Sequence, residues 1–296
     1  MPSKARDRQL AKLAARRKAE RDAAHRRRRI ISGAVGAVIG LAAIVIGFML
    51  ITNHKGSSAA SSPTPTATAA PTGLPTKTGT VTAQAQPAAT VACGGARPAA
   101  ADAPKPQFDH APSSADVLKP NVTYHATIQT SCGAITVQLD PKTAPETVAS
   151  FVFLAGQGYF DGTFFHRVVD SIDVIQAGDP LGNGQGGPGY SIPDELTGTE
   201  KYTPGTVAMA NAGPNTGGSQ FFIITGPDGA NLNGNPNYTI FGSVTEGLGV
   251  AKEINALVPK GAKDYDGQPT KAVYIEKITI AQEKAPKPSP SASPSA

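Results

Sequence analysis

A run of 23 residues without a charge, Ile30 to Thr52 (IISGAVGAVIGLAAIVIGFMLIT), constrains this chain more than any other feature. Such a run is long enough to cross about 30 Å of hydrocarbon as a helix. Arg26 to Arg29 abut its N-terminal side, whereas Lys55 is the only basic residue close behind it. The positive-inside bias then places residues 1–29 in the cytoplasm and everything after Thr52 outside. A cleaved signal peptide is the competing reading, with Ser58-Ala59-Ala60 as a processing site. Its apolar region normally spans only about 7–15 residues, so an uncleaved single-pass anchor is expected. Gly36 and Gly40 make a GxxxG. Small residues are common in such helices, so the chain is read as a monomer.

Charge is distributed as unevenly as hydropathy. Residues 1–29 carry twelve Lys or Arg against three acids, whereas Asn121 to Glu283 carries eight against sixteen. The basic segment suits topology and anionic lipid. The acidic region is a poor candidate for a phosphate backbone, so no nucleic-acid partner is expected.

Residues 53–120 are rich in Ala, Pro, Thr and Ser with few aliphatics. They are expected to form an extended tether, because they cannot bury enough apolar surface to offset ordering entropy. The last part, Lys105 to Asp109, is expected to clamp onto the domain through Phe108. Residues 284–296 read as a disordered proline-serine tail. Cys93 and Cys132 have neither zinc spacing nor a CxxC motif. In an oxidising compartment they can pair, tying the end of the linker to the first hairpin; two unpaired thiols is the other reading.

Residues 121–283 are long enough for one sizeable core. Strands are predicted at Val122–Gln129, Ile135–Leu139, Phe164–Val169, Val174–Ala177, Thr206–Asn211, Gln220–Thr225, Thr239–Val244 and Ala272–Ile280. Thr143 and Glu146 read as a capping box opening a helix with Pro145 in its first turn and Val148, Phe151, Val152 and Leu154 as its apolar face. Gly156 and Gly158 end it. A second helix is predicted over Gly247–Ala256. Short strands between Gly-rich turns, with two isolated helices, indicate a mainly β antiparallel sheet or barrel.

Most generic motifs fail. Gly182, Gly184 and Gly187 satisfy GxGxxG, but Pro188-Gly189 follows and no helix starts, so this is a loop. Ser219 lacks the flanking glycines of a nucleophile elbow. The five histidines show no ligand spacing, so neither metal nor cofactor is expected.

Three segments are specific: Phe164-Phe165-His166-Arg167-Val168-Val169, Gln176-Ala177-Gly178-Asp179, and Met209 to Phe222 (MANAGPNTGGSQFF). Together with Phe160-Asp161-Gly162 and Phe241-Gly242, in this order, they resemble the cyclophilin signature over about Asn121 to Glu283. The resemblance implies a closed eight-stranded antiparallel barrel capped by two helices. It also implies catalysis of cis/trans isomerisation at X-Pro bonds in proline-containing polypeptides. The barrier to that change, about 18–20 kcal/mol, comes from amide resonance. No covalent bond need break. The site must hold the proline and favour a twisted amide with a pyramidal nitrogen, and a permanently charged arginine fork suits that task.

By resemblance, Arg167 takes the arginine role, Gln176 supports it, and the main chain of Asn211 pairs with the substrate. Phe222 is the floor of the proline pocket and Leu232 its wall, with Ala210, Gln220 and Tyr238 also in the substrate-binding set. Taken alone, Phe222 reads equally well as a core aromatic. His166 is expected to be structural, since the reaction needs no base.

The chain departs from the family in three places. One extra residue lies between Arg167 and Gln176, so the usual pocket phenylalanine becomes Asp173 and the usual methionine becomes Val174. A bulge that turns Ile172 into the pocket and Asp173 outward is the alternative. The usual tryptophan falls at about Asn231, and Tyr238 replaces a histidine. Each large side chain missing weakens proline binding by about 1–2 kcal/mol. Asp173 and the missing aromatics favour a second function: a non-catalytic proline-peptide or scaffolding module at the cell surface.

Overall fold

The computed structural model describes residues 73–84 and 90–284. The basic segment 1–29, the apolar run 30–52 and tail residues 285–296 lie outside the described residues. Among the described residues no helix is long and apolar enough to cross a membrane.

In chain order the elements are β1 (Lys77–Val81), β2 (Lys105–Phe108), α1 (Ser114–Val117), β3 (Val122–Thr130), β4 (Gly133–Leu139), α2 (Pro145–Gly156), β5 (Arg167–Val169), β6 (Val174–Ala177), β7 (Thr206–Met209), β8 (Phe221–Ile224), β9 (Ile240–Glu246), α3 (Leu248–Asn255), β10 (Asp266–Gly267) and β11 (Ile275–Lys284). Strands β3 to β11 form one antiparallel sheet in the order β10-β5-β6-β8-β7-β9-β4-β3-β11. The predicted strands and both longer helices are therefore present, displaced by a few residues at their ends.

The expected closed eight-stranded barrel needs correction. Nine strands pair, and the regular ladder does not close. The residues before β5 meet those around the start of β11 through an isolated Phe164–Tyr274 bridge and through the Phe165 N–H on the Val273 carbonyl at 2.9 Å. Only that single bridge forms, and the chain turns away at Gly162, whose φ is +78° and whose N–H still donates to the Ile275 carbonyl at 2.7 Å. A Cβ on Gly162 would also lie 2.2 Å from the backbone of Ala100.

Helix α2 packs Phe151 against Phe160, Phe221 and Phe241, with ring centroids 5.1, 5.5 and 5.2 Å apart. Its start is not the capping box that was expected. Thr143 donates to Asp140, and the Glu146 carboxylate accepts from the Ser114 N–H and hydroxyl. The first turn is capped from a distant loop instead: Glu195 accepts from the Glu146 N–H, the Thr147 N–H and the Thr147 hydroxyl at 2.9, 2.8 and 2.7 Å. A carboxylate there satisfies free N–H groups and the positive end of the helix dipole at once.

Described residues of the 53–120 segment are not a free tether. β1 pairs with β2, and Phe108 is 4% exposed, with its ring 4.9 Å from that of Phe153. Lys105 is 2% exposed, and its ammonium donates to the Ala100 and Asp161 carbonyls. Cys93 and Cys132 are joined by a disulfide with a Cα–Cα distance of 5.1 Å. The segment builds no core of its own. It orders because Ala92, Ala101 and Phe108 complete the core of the domain.

Candidate active site

Strands β5, β6, β8 and β7 lie side by side, and their register sets the site. Arg167 pairs with Gln176, Gln176 with Phe222, and Phe222 with Ala208. Directly paired residues share a face of the sheet. Two residues along, Val169, Val174 and Ile224 form a second row on that face. The alternating residues Val168, Ile175, Ile223 and Val207 point the other way, into the main core. The runs VIQA, TVAM and FFII are buried along their whole length because a second apolar cluster covers the outer face.

That outer face holds a pocket. Of the ten site residues expected from the sequence, nine line it: Arg167, Ile172, Val174, Gln176, Ala210, Asn211, Phe222, Leu232 and Tyr238. Val169 completes the lining. Strand alternation from Arg167 points to it, but sequence reasoning missed it. Phe222 and Tyr238 meet edge-on at 5.2 Å. Behind them the buried Tyr202 hydroxyl donates to the Tyr238 carbonyl at 2.8 Å and accepts from the Tyr238 N–H at 3.0 Å.

Gln220 does not line the pocket. The Gln176 amide donates to its oxygen at 2.9 Å, and its own amide donates to the Gly186 carbonyl at 2.9 Å. It thereby tethers the 179–189 loop, where the GxGxxG match lies and no helix follows. Asn211 folds its side chain away, donating to the Asn237 carbonyl at 2.8 Å.

The extra residue between Arg167 and Gln176 is absorbed without disturbing their pairing. Asp170–Ile172 form a 3-10 turn, and Asp173 adopts a left-handed conformation with φ 51°. Asp173 accepts from the Asp228 N–H at 2.8 Å, and its carbonyl accepts from the Thr225 N–H at 2.7 Å. Ile172 and Val174 both reach the pocket and Asp173 turns away from it, so the acid that favoured a binding-only module is not in the groove. Asn231 is exposed and adds no wall.

The guanidinium of Arg167 has a partner no motif disclosed. Its Nε and Nη2 donate to the two carboxylate oxygens of Asp266 at 2.6 and 2.7 Å, and Nη1 donates to Gln176 Oε1 at 3.3 Å. The Asp266 carboxylate holds the guanidinium pKa above its already high ordinary value. His166, beside Arg167, is 5% exposed, and neither ring nitrogen makes a hydrogen bond. Burial pushes its pKa below the usual histidine value, while Asp179 opposes the shift and Arg167 reinforces it. Among the described residues no group of acids, cysteines or histidines could hold a metal.

The family model for cyclophilin type peptidyl-prolyl cis-trans isomerase matches residues 125–280, more than half of the chain. Peptidyl-prolyl cis-trans isomerase B of Streptomyces anulatus is 41% identical over 172 residues, covering 53% of this chain and 95% of the relative. Peptidyl-prolyl cis-trans isomerase A of Mycobacterium tuberculosis is 41% identical over 179 residues, covering 55% and 94%. A solved cyclophilin type isomerase from Cryptosporidium parvum, crystallised in the presence of the dipeptide Ala-Pro, is 31% identical with a TM-score of 0.47, covering 53% and 98%. With the family model spanning the pocket strands and near-full-length relatives at about two-fifths identity, the chain belongs to the cyclophilin-type peptidyl-prolyl cis-trans isomerases and is an enzyme of that type.

Proposed function

We propose that this isomerase accelerates X-Pro isomerisation in proteins outside the cytoplasm, through electrostatic stabilisation of a twisted amide by Arg167. The observation that carries the mechanism is the guanidinium at the rim of an apolar pocket. Of its five N–H groups, two go to Asp266 and one to Gln176, so one on each Nη remains for substrate. A proline ring fits against Phe222, Val174 and Leu232. The spare donors then meet the proline carbonyl and the nitrogen lone pair that develops as resonance is lost. Those hydrogen bonds strengthen only in the twisted state, which is what lowers a rotational barrier. The main chain of Asn211 holds the extended substrate.

Two features support the location. The Cys93–Cys132 disulfide suits an oxidising compartment. The basic residues before the 30–52 run favour a cytoplasmic N-terminus, with that run as a membrane anchor and the isomerase unit as a monomer beyond it.

The test uses the full chain purified in detergent and a protease-coupled assay of an X-Pro peptide. Arg167→Ala is expected to lower kcat roughly 10²–10³-fold, the range for losing a transition-state donor, with KM little changed. An unchanged kcat would overturn the mechanism. Protease added to intact cells is expected to digest residues after Thr52; full protection would overturn the location.

A further inference from the structure

We infer that Asp266 is a positioning residue for this reaction, setting which N–H groups of Arg167 face the pocket; this rests on the Arg167 reading above. The other side-chain acceptor on the guanidinium is Gln176 Oε1, through a single bond at 3.3 Å. One long hydrogen bond leaves the planar fork free to rotate. The Asp266 carboxylate instead grips Nε and Nη2 together at 2.6 and 2.7 Å, a two-point contact that fixes the plane.

The carboxylate is placed independently of the arginine it holds. Asp266 pairs with Val169 and Gly267 with Val168, so β10 is built onto β5 through the backbone. The Asp170 N–H donates to the Tyr265 carbonyl at 2.8 Å, and the Tyr265 hydroxyl donates to the Gln268 carbonyl at 2.6 Å. A Cβ on Gly267 would lie 2.9 Å from that hydroxyl, so the turn closes tightly around Asp266. The acid is thus presented by a short strand anchored on both sides.

Stability is not the reason for such a pair. The two side chains are 42% and 49% exposed, and exposed ion pairs contribute little to folding. Orientation is a different matter, because small misplacements of a reacting group carry large rate penalties. Asp266 and Gln176 together take three of the five guanidinium N–H groups and leave one on each Nη. The sequence shows nothing of this: Asp266 lies 99 residues from Arg167, in a two-residue strand without a motif.

The experiment compares Asp266→Asn, Asp266→Glu and Arg167→Ala in the full chain. It measures kcat, KM, melting temperature and the side-chain 15N–1H signal of Arg167 Nε. Asp266→Asn is expected to lower kcat roughly ten- to hundred-fold, with KM and melting temperature unchanged and the Nε–H signal moved upfield. Asp266→Glu, which keeps the two-oxygen acceptor, should recover part of the loss. If Arg167→Ala is inactive while Asp266→Asn keeps wild-type kcat, the positioning role is overturned and the Arg167 mechanism stands. If Arg167→Ala keeps wild-type kcat, both fall. A loss in Asp266→Asn accompanied by an unmoved Nε–H signal also overturns the role.

Discussion

Replacing Tyr202 with phenylalanine removes one oxygen atom and tests how the pocket wall is held. Tyr202 is 0% exposed, and its hydroxyl serves both the carbonyl and the N–H of Tyr238, at 2.8 and 3.0 Å. Deleting it strands two backbone groups, each costing about 1–3 kcal/mol when buried without a partner. Tyr238 is only half-buried, so water recovers part of this, and a total of about 2–3 kcal/mol is expected. For a domain of this size each kcal/mol moves the melting temperature by roughly 2–4 °C, which gives a fall of about 4–12 °C. Catalysis should suffer separately. Tyr238 meets Phe222 edge-on at 5.2 Å, and a loosened ring gives up part of a contact worth about 0.5–1.5 kcal/mol. KM is therefore expected to rise about two- to tenfold while kcat holds. Thermal unfolding by circular dichroism and steady-state assays check both. Unchanged melting temperature and unchanged KM would refute the reasoning.

Two further perturbations probe the surroundings of the site. Cys93→Ser with Cys132→Ser opens a loop of 39 residues and should cost about 4 kcal/mol of stability by chain entropy, read as a lower urea midpoint with kcat intact. His166 gives a pH signature. Burial holds its pKa below 6.5, so the folded state binds the proton less well than the unfolded chain. The stability it confers is present above pH 6.5 and is lost as pH falls through the folded pKa, at up to about 1.4 kcal/mol per pH unit. Melting temperatures measured from about pH 7.5 down to about pH 5 should fall more steeply for the wild type than for His166→Gln; parallel curves would show that the ring does not titrate there.

What the sequence revealed follows from where its information lies. The pocket residues were legible because Arg167, Gln176 and Phe222 lie in the segments that resemble the family signature, and the strand register then brings them into one row. Asp173 was ambiguous. A count of residues cannot say whether an extra one is spread along a strand or absorbed in a left-handed turn. The ordering of residues 90–117 was only partly legible, since Ala92, Ala101 and Phe108 are buried in a core the segment does not itself supply. The capping box failed for a related reason: Glu195, 49 residues away from Glu146, reaches the helix N-terminus, and no local pattern encodes that. Asp266 and Val169 were missed alike, one for want of a motif and the other because an apolar residue two positions beyond Arg167 reads equally well as core.

The central claim, that Arg167 turns a proline pocket into a catalyst, is tested most directly by exchange NMR on an Ala-Pro peptide with a small amount of full chain. Wild-type protein should produce cis–trans exchange peaks absent from the peptide alone. Arg167→Ala should broaden the peptide resonances by binding yet produce no such peaks. Equal exchange rates with the two proteins would contradict the claim.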